Sequence, residues 1–146
     1  MLRKSVLKKL NEIVNFENVV KNTIYAPDTV YLFLSATDKE VHILDELSAI
    51  RDGAVILQPK QKTNLKYLYY ALKNAKDEFF NKYVGKAINL SRHDLDFFEL
   101  LWHENYNDQC EIVLQLKPLE NEIENEIIAI NHLKNFKAGM LDKMFV

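Results

Sequence analysis

DQCEIVLQLKPLENEIENEIIAINHLKNFKAGMLDKMF, running from Asp108 to Phe145, is the stretch whose reading decides the fold. From about Asn107 onward, Ile112, Leu116, Leu119, Ile123, Ile127, Ile130, Leu133, Phe136, Met140 and Met144 recur at steps of three and four, the spacing of one helix face. A helix of that length cannot bury its stripe in so small a body, so Leu119, Ile123, Ile127, Ile130, Leu133, Phe136 and Met140 are expected to pack against a partner helix. Pro118 lacks a backbone donor and clashes with the carbonyl of Leu114, which predicts a kink or a helix break. Glu120, Glu122, Glu124 and Glu126 crowd one end, while Lys134, Lys137 and Lys143 lie at the other. Antiparallel alignment of two copies sets acid against base.

Upstream, Ser91 and Asp94 have the spacing of a capping box leading into Leu95, Phe98 and Leu101, after a break that Gly85 permits. Thr63 is placed to cap a helix whose inner face is Leu65, Leu68, Leu72, Ala75, Phe79 and Tyr83. Further back, TVYLFLSA (Thr29 to Ala36) and EVHIL (Glu40 to Leu44) read as a hairpin or a sequential strand pair. Asp52-Gly53 signals a turn, and the AVILQ run before Pro59 is a third strand. The opening residues, with Leu2, Val6, Leu10 and Ile13 apolar, predict an amphipathic helix.

These segments make an α+β protein: a small β-sheet body with packed helices, residues 1–105, followed by a long coiled-coil-type helix, residues 106–146. A chain of 146 residues, 48% hydrophobic, supports one core with one appended element. Only 3 Gly and 3 Pro argue against disorder. Cys110 is the only cysteine, which excludes an internal disulfide. No apolar run is long enough for a membrane span, and the N-terminus lacks a secretion-signal core, so a soluble, cytoplasmic protein without membrane contact is expected. The net charge of -2 hides a division. Residues 60–92 carry eight basic groups against Asp77 and Glu78, whereas residues 93–146 carry four basic and eleven acidic ones. A basic middle and an acidic end point to different partners.

Taken in order, the segments resemble the second half of a type I restriction-modification DNA-specificity (S) subunit, a target recognition domain followed by its spacer helix. DTVYLFLSATDKEVHIL resembles the family's first strand pair, DGAVILQPK its G-F-A-x-L-x-P strand, and NLKYLYYALKN its YLYYLLKS helix. VGKAINLSRHDL is similar to the SGSTFKEISKKDL segment that closes the recognition domain. DQCEI (Asp108 to Ile112) is similar to the EQKRI that starts the spacer helix, and LKNFKAGMLDKMF (Leu133 to Phe145) to its LKELKKGLLQKMF end. Each motif alone is weak; the specificity lies in their order and spacing over roughly residues 28–145. Three departures stand out: HENYN replaces the prolines before EQ, the SATDKE turn lacks glycine, and the segment between KKLNEIV and the first strand is short where the family has a long variable one.

The basic middle supplies the candidate DNA contacts. Lys60, Lys62, Lys66, Lys86 and Arg92, with Lys73, Lys76 and Lys82, are placed to meet phosphates, or to form an ordinary solvated helix face. The resemblance favours DNA for Lys86 and Arg92, which flank AINLS, where Asn89 adds a neutral hydrogen-bonding group; Ser91 reads as a helix cap. HENYN lacks the second histidine of a zinc-protease helix, having Asn107 there, and Cys110 has no spaced ligand partners, so no metal is expected. Asp52, Gln58 and Lys60 have the residue types of a magnesium nuclease, at too short a spacing. Tyr67, Tyr69 and Tyr70 are base-stacking types that on such a helix serve more often in packing. With no catalytic constellation and no cofactor motif, methylation would be a partner's work.

The resemblance implies a non-catalytic specificity subunit: the body docks on double-stranded DNA, and the last helix pairs with an equivalent helix while presenting methyltransferase (M) subunits, and the restriction (R) subunit, with a platform. A homodimer would supply the two units that complete specificity subunits carry in one chain. The alternative is a truncated assembly or decoy subunit that binds partner subunits through the helix without recognising a target. Salt separates the two, because phosphate contacts weaken steeply with ionic strength and apolar helix pairing does not.

Overall fold

The computed structural model describes residues 3–35, 37–83 and 91–144. The chain divides into two compact units, Met1–Cys110 and Glu111–Val146.

In the first unit two antiparallel sheets are built from strands distant in sequence. Strands β1 (Val6–Lys9) and β6 (Glu99–Trp102) pair with Val6 opposite Trp102 and Lys9 opposite Glu99. The second sheet has the order β2 (Val14–Asn18), β5 (Ala54–Pro59), β3 (Val30–Phe33), β4 (Val41–Ile43), with every neighbour antiparallel. β5 is interior to this sheet, and its run Ala54, Val55, Ile56 and Leu57 is buried without alternation because both faces are covered. Gly53, in the turn just before β5, has φ +92°, a conformation that side chains disfavour, which is why the turn uses glycine. Helix α2 (Leu65–Tyr83) buries Tyr67, Leu68, Leu72, Phe79 and Phe80 and packs on β6 and β4. The α+β body with a long following helix is thus the observed architecture.

The β3–β4 hairpin forms as its β-branched runs predict, Val30 opposite Ile43 and Leu32 opposite Val41. Its glycine-free connection is held by side chains. The Asp38 carboxylate accepts the Glu40 N–H at 3.1 Å and the His42 Nε2–H at 3.0 Å, and the Ser35 and Thr37 hydroxyls lie 2.7 Å apart.

The opening helix is not found. Val6–Lys9 is a strand, and only one turn, α1 (Leu10–Ile13), is helical before β2 begins. A strand–turn–strand path buries Leu10, Ile13 and Val14 equally well, and pairing with β6 supplies the backbone partners that a short isolated helix could not hold in water. Beyond Ser91 the expected α-helix is a 3₁₀ turn, Arg92–Phe97, whose start is tied by the Ser91 N–H to the Asp94 carboxylate at 2.8 Å. The chain then enters β6, so Leu95 and Phe98 are fully buried while Leu101 turns outward. Helix α3 (Tyr106–Met144) continues through Pro118, so of the expected kink or break the break does not occur. Leu114, whose carbonyl cannot receive a bond from Pro118, is exposed at 73%, on a face of the helix open to solvent.

Candidate functional site

The residues connecting β5 to α2 carry two of the candidate lysines, Lys60 and Lys62. Lys60 is fixed by its backbone N–H to Ile13 O at 2.9 Å, and its Nζ reaches Asn11 O at 2.6 Å. Lys62 lies over the Tyr106 ring, Nζ 4.3 Å from its centroid. Both line an open cleft of about 280 Å³ shared with Lys8, Glu12, Trp102 and Glu104. Lys8 pairs with Glu104 at 2.6 Å. Three lysines and two glutamates thus line this cleft and leave it net positive.

The other proposed DNA contacts are distributed differently. Lys66 is half-buried in the first turn of α2, and Arg92 donates to the carbonyl of Phe16 on the edge strand β2. Lys86 and Asn89 lie outside the described residues. The structure therefore unites Lys60 with Lys62, sets Arg92 on β2, and adds Lys8, which the sequence reading missed because a strand pairing across the chain brings it in. Over Met1–Cys110 fifteen basic groups balance fifteen acidic ones, while Glu111–Val146 carries four against six.

Beneath the cleft, the starts of α2 and α3 are interlocked by amides. Asn64, not Thr63, caps α2: its Oδ1 accepts the Lys66 and Tyr67 N–H groups at 3.1 and 3.2 Å, whereas the Thr63 hydroxyl bonds to Gln61 O. Asparagine places its acceptor one atom further out than threonine does, and here it meets two orphan donors. Asn105 does the same for α3, accepting the Asp108 N–H at 3.2 Å. Within HENYN it provides the defined helix start that proline provides in the resembled family.

Gln109, 1% exposed, accepts the Asn64 N–H at 3.0 Å and donates to His103 O at 2.7 Å. Its neighbour Asp108 pairs with Arg3 at 3.3 Å. Tyr67 is buried against Trp102, its hydroxyl accepting the His103 N–H at 2.7 Å and lying 2.8 Å from His103 Nδ1. Burial pushes the Tyr67 phenol up, against the lowering effect of the His103 N–H, and keeps it protonated. Tyr67 is therefore structural; Tyr69 and Tyr70 contact each other at 5.7 Å, with Lys73 5.2 Å from the Tyr69 ring.

Asp52 and Lys60 bracket the six residues of β5, about 25 Å apart at ~3.3 Å per residue. Asp52 instead pairs with Lys21 at 3.6 Å. The nuclease arrangement does not assemble.

The second candidate surface is α3 itself. Leu119, Ile123, Ile127, Ile130, Leu133, Phe136 and Met140 are all exposed, from 48% to 68%. Leu141 and Met144 extend the same apolar surface, and Ile128 is exposed on the far side of the helix.

The antiparallel two-sheet body followed by one long helix is a fold found among solved structures. The chain is similar to the type I restriction-modification S subunit from M. genitalium, with a TM-score of 0.68 and 18% identity over 88% of this chain and 42% of that one. It is also similar to the HsdS subunit from Thermoanaerobacter tengcongensis, with a TM-score of 0.61 and 13% identity over 86% of this chain and 39% of that one. A third likeness, to a chain from a structure concerned with complex assembly and conformational transition of the type I R-M system, has a TM-score of 0.64 and 13% identity over 99% and 44% of the two chains. The chain thus has the specificity-subunit fold and spans about two fifths of the length of these proteins. No family model and no curated protein sequence matches it.

Proposed function

We propose that this chain acts as a DNA-binding specificity subunit, or half-subunit, of a type I restriction-modification system, a cytoplasmic, non-catalytic protein that positions methyltransferase subunits on target DNA. Residues 1–105 meet double-stranded DNA. Residues 106–146 pair with an equivalent helix, in a second copy or in a longer specificity chain, and offer the platform for M and R subunits. The observation carrying this reading is the fold likeness to S subunits over 88% of the chain, body and helix included. The exposed apolar stripe supports it independently, since a surface of that size is uncommon on a solitary monomer.

In this reading Lys8, Lys60, Lys62 and Lys66 contact phosphates, and Arg92, Lys86 and Asn89 are further candidate contacts. A duplex titration at two salt concentrations tests it. Each neutralised phosphate steepens the logarithmic salt dependence by about 0.9, so Lys62→Glu is expected to weaken binding and flatten the slope by about one. The second reading, an assembly or decoy subunit, is favoured by the charge balance of the body and by the engagement of Lys60 and Arg92 with main-chain carbonyls. Absence of duplex binding at low salt, with helix association intact, would establish it over the first.

A further inference from the structure

We propose that α3 is complementary to a second copy of itself in one antiparallel register, fixed by Glu126 facing Lys137 of the other copy. This rests on the helix-pairing reading above and deepens it by naming partner and register. From Leu116 to Met144 the helix carries a seven-residue repeat, with Leu116, Ile123, Ile130, Lys137 and Met144 at one recurring position and Leu119, Glu126, Leu133 and Met140 at the other. Seven of these nine seam residues are apolar; Glu126 and Lys137 are the exceptions. Both are exposed. A charge on a seam is tolerated only where the partner answers it, and is then what selects a register.

In an antiparallel pair the two seam positions face each other across each layer. Aligning Glu126 with Lys137 of the second copy places Ile130 against Leu133, Ile123 against Met140 and Leu119 against Met144, so every other layer is apolar on both sides. By the two-fold symmetry the ion pair occurs twice. Flanking the seam, Glu122 then meets Lys143 of the other copy, and Ala129 meets Phe136, a small residue against a large one. Slipping one repeat in one direction sets Glu126 against Ile130 and Lys137 against Leu119; slipping in the other sets Glu126 against Met144 and Lys137 against Leu133. Either slip leaves four charges on hydrocarbon. A parallel pair opposes Glu126 to Glu126 and Lys137 to Lys137. Pro118 falls on the outer face, away from the seam, where its missing hydrogen bond costs the pairing nothing.

The test is charge reversal in the full chain, read by sedimentation at tens of micromolar with circular dichroism as a control for helicity. Wild type is expected to be a dimer. Glu126→Lys and Lys137→Glu each set like charges together twice and are expected to weaken dimerisation about 100-fold or more. Mixing the two single variants restores both ion pairs and is expected to give a heterodimer, and Glu126→Lys with Lys137→Glu in one chain is expected to restore the homodimer. Single variants that dimerise like wild type, or a double variant that does not recover, would overturn the register while leaving helix pairing in place. A wild-type monomer would overturn the proposal through its choice of partner; duplex binding, measured separately, would still decide the specificity reading.

Discussion

The two units use the same residues to opposite ends. In the body Ile56 is 2% exposed and Leu68 fully buried, whereas in α3 Ile127 is 53% and Leu133 68% exposed. Both α2 and α3 carry an apolar face at helical spacing; what differs is whether the chain supplies a surface to cover it. Strand β6 and strand β4 do so for α2. The body's apolar residues are buried by folding, whereas those of α3 stay exposed, and in the proposed reading they are covered by association.

The sharpest way to break this contrast is to put a charge on each surface. Ile130→Asp in α3 removes an apolar group in both copies, each worth about 1.5–3 kcal/mol when fully buried, and leaves a carboxylate against Leu133 of the partner. The dimer is expected to weaken by two orders of magnitude or more in sedimentation. The melting of the body, followed by near-ultraviolet circular dichroism of Trp102, should not move.

The reverse experiment truncates the body. Leu68→Ala empties a fully buried site on α2 and is expected to cost about 2–5 kcal/mol in urea denaturation. If α3 is an independent association element, sedimentation below the new unfolding midpoint remains that of the parent. Loss of dimer together with a modest loss of stability would show instead that the helix depends on the body.

How far these features were legible follows from their range in sequence. The α3 stripe and the α2 face were readable from periodicity, and the β3–β4 hairpin and β5 from β-branched runs bounded by turn signals. The first strand was not: Val6, Leu10 and Ile13 fit a helix period, and only the pairing of β1 with β6, separated by most of the body, decides otherwise. The same long-range pairing hid Lys8 from the candidate site. Gln109 and Asn64 were missed for another reason. Their roles are buried amide contacts spanning 45 residues, and no spacing rule marks such a pair. Asn105, by contrast, lies three residues before Asp108 at the start of a long periodic run, a cap signal that was present in the sequence.

A smaller effect separates the two candidate caps of α2. Asn64→Ala removes the acceptor for two backbone donors and is expected to cost about 1 kcal/mol, a typical N-cap loss. Thr63→Ala should be nearly silent, because the Thr63 hydroxyl contacts only the Gln61 carbonyl among its described hydrogen bonds. Chemical denaturation of both variants decides it; equal losses would return the cap to Thr63.

The smallest expected effect belongs to the hairpin carboxylate. Burial pushes the Asp38 carboxyl up, but the hydrogen bond from His42, the Glu40 N–H and the charges of His42 and Arg51 together outweigh it and hold the group below its ordinary value. A carboxyl depressed in the folded state adds stability above its unfolded pKa and loses that contribution as pH falls through the folded value. The contribution is therefore present at pH 7, declines from about pH 4 downward, and vanishes in stronger acid. Because the pair is partly open to water, screening reduces it to well under ~1 kcal/mol. Asp38→Asn should melt slightly below the parent at pH 7 and together with it near pH 2.5. A difference that persisted unchanged into acid would mean that the asparagine disturbs the turn sterically, through the Glu40 N–H, rather than by its missing charge.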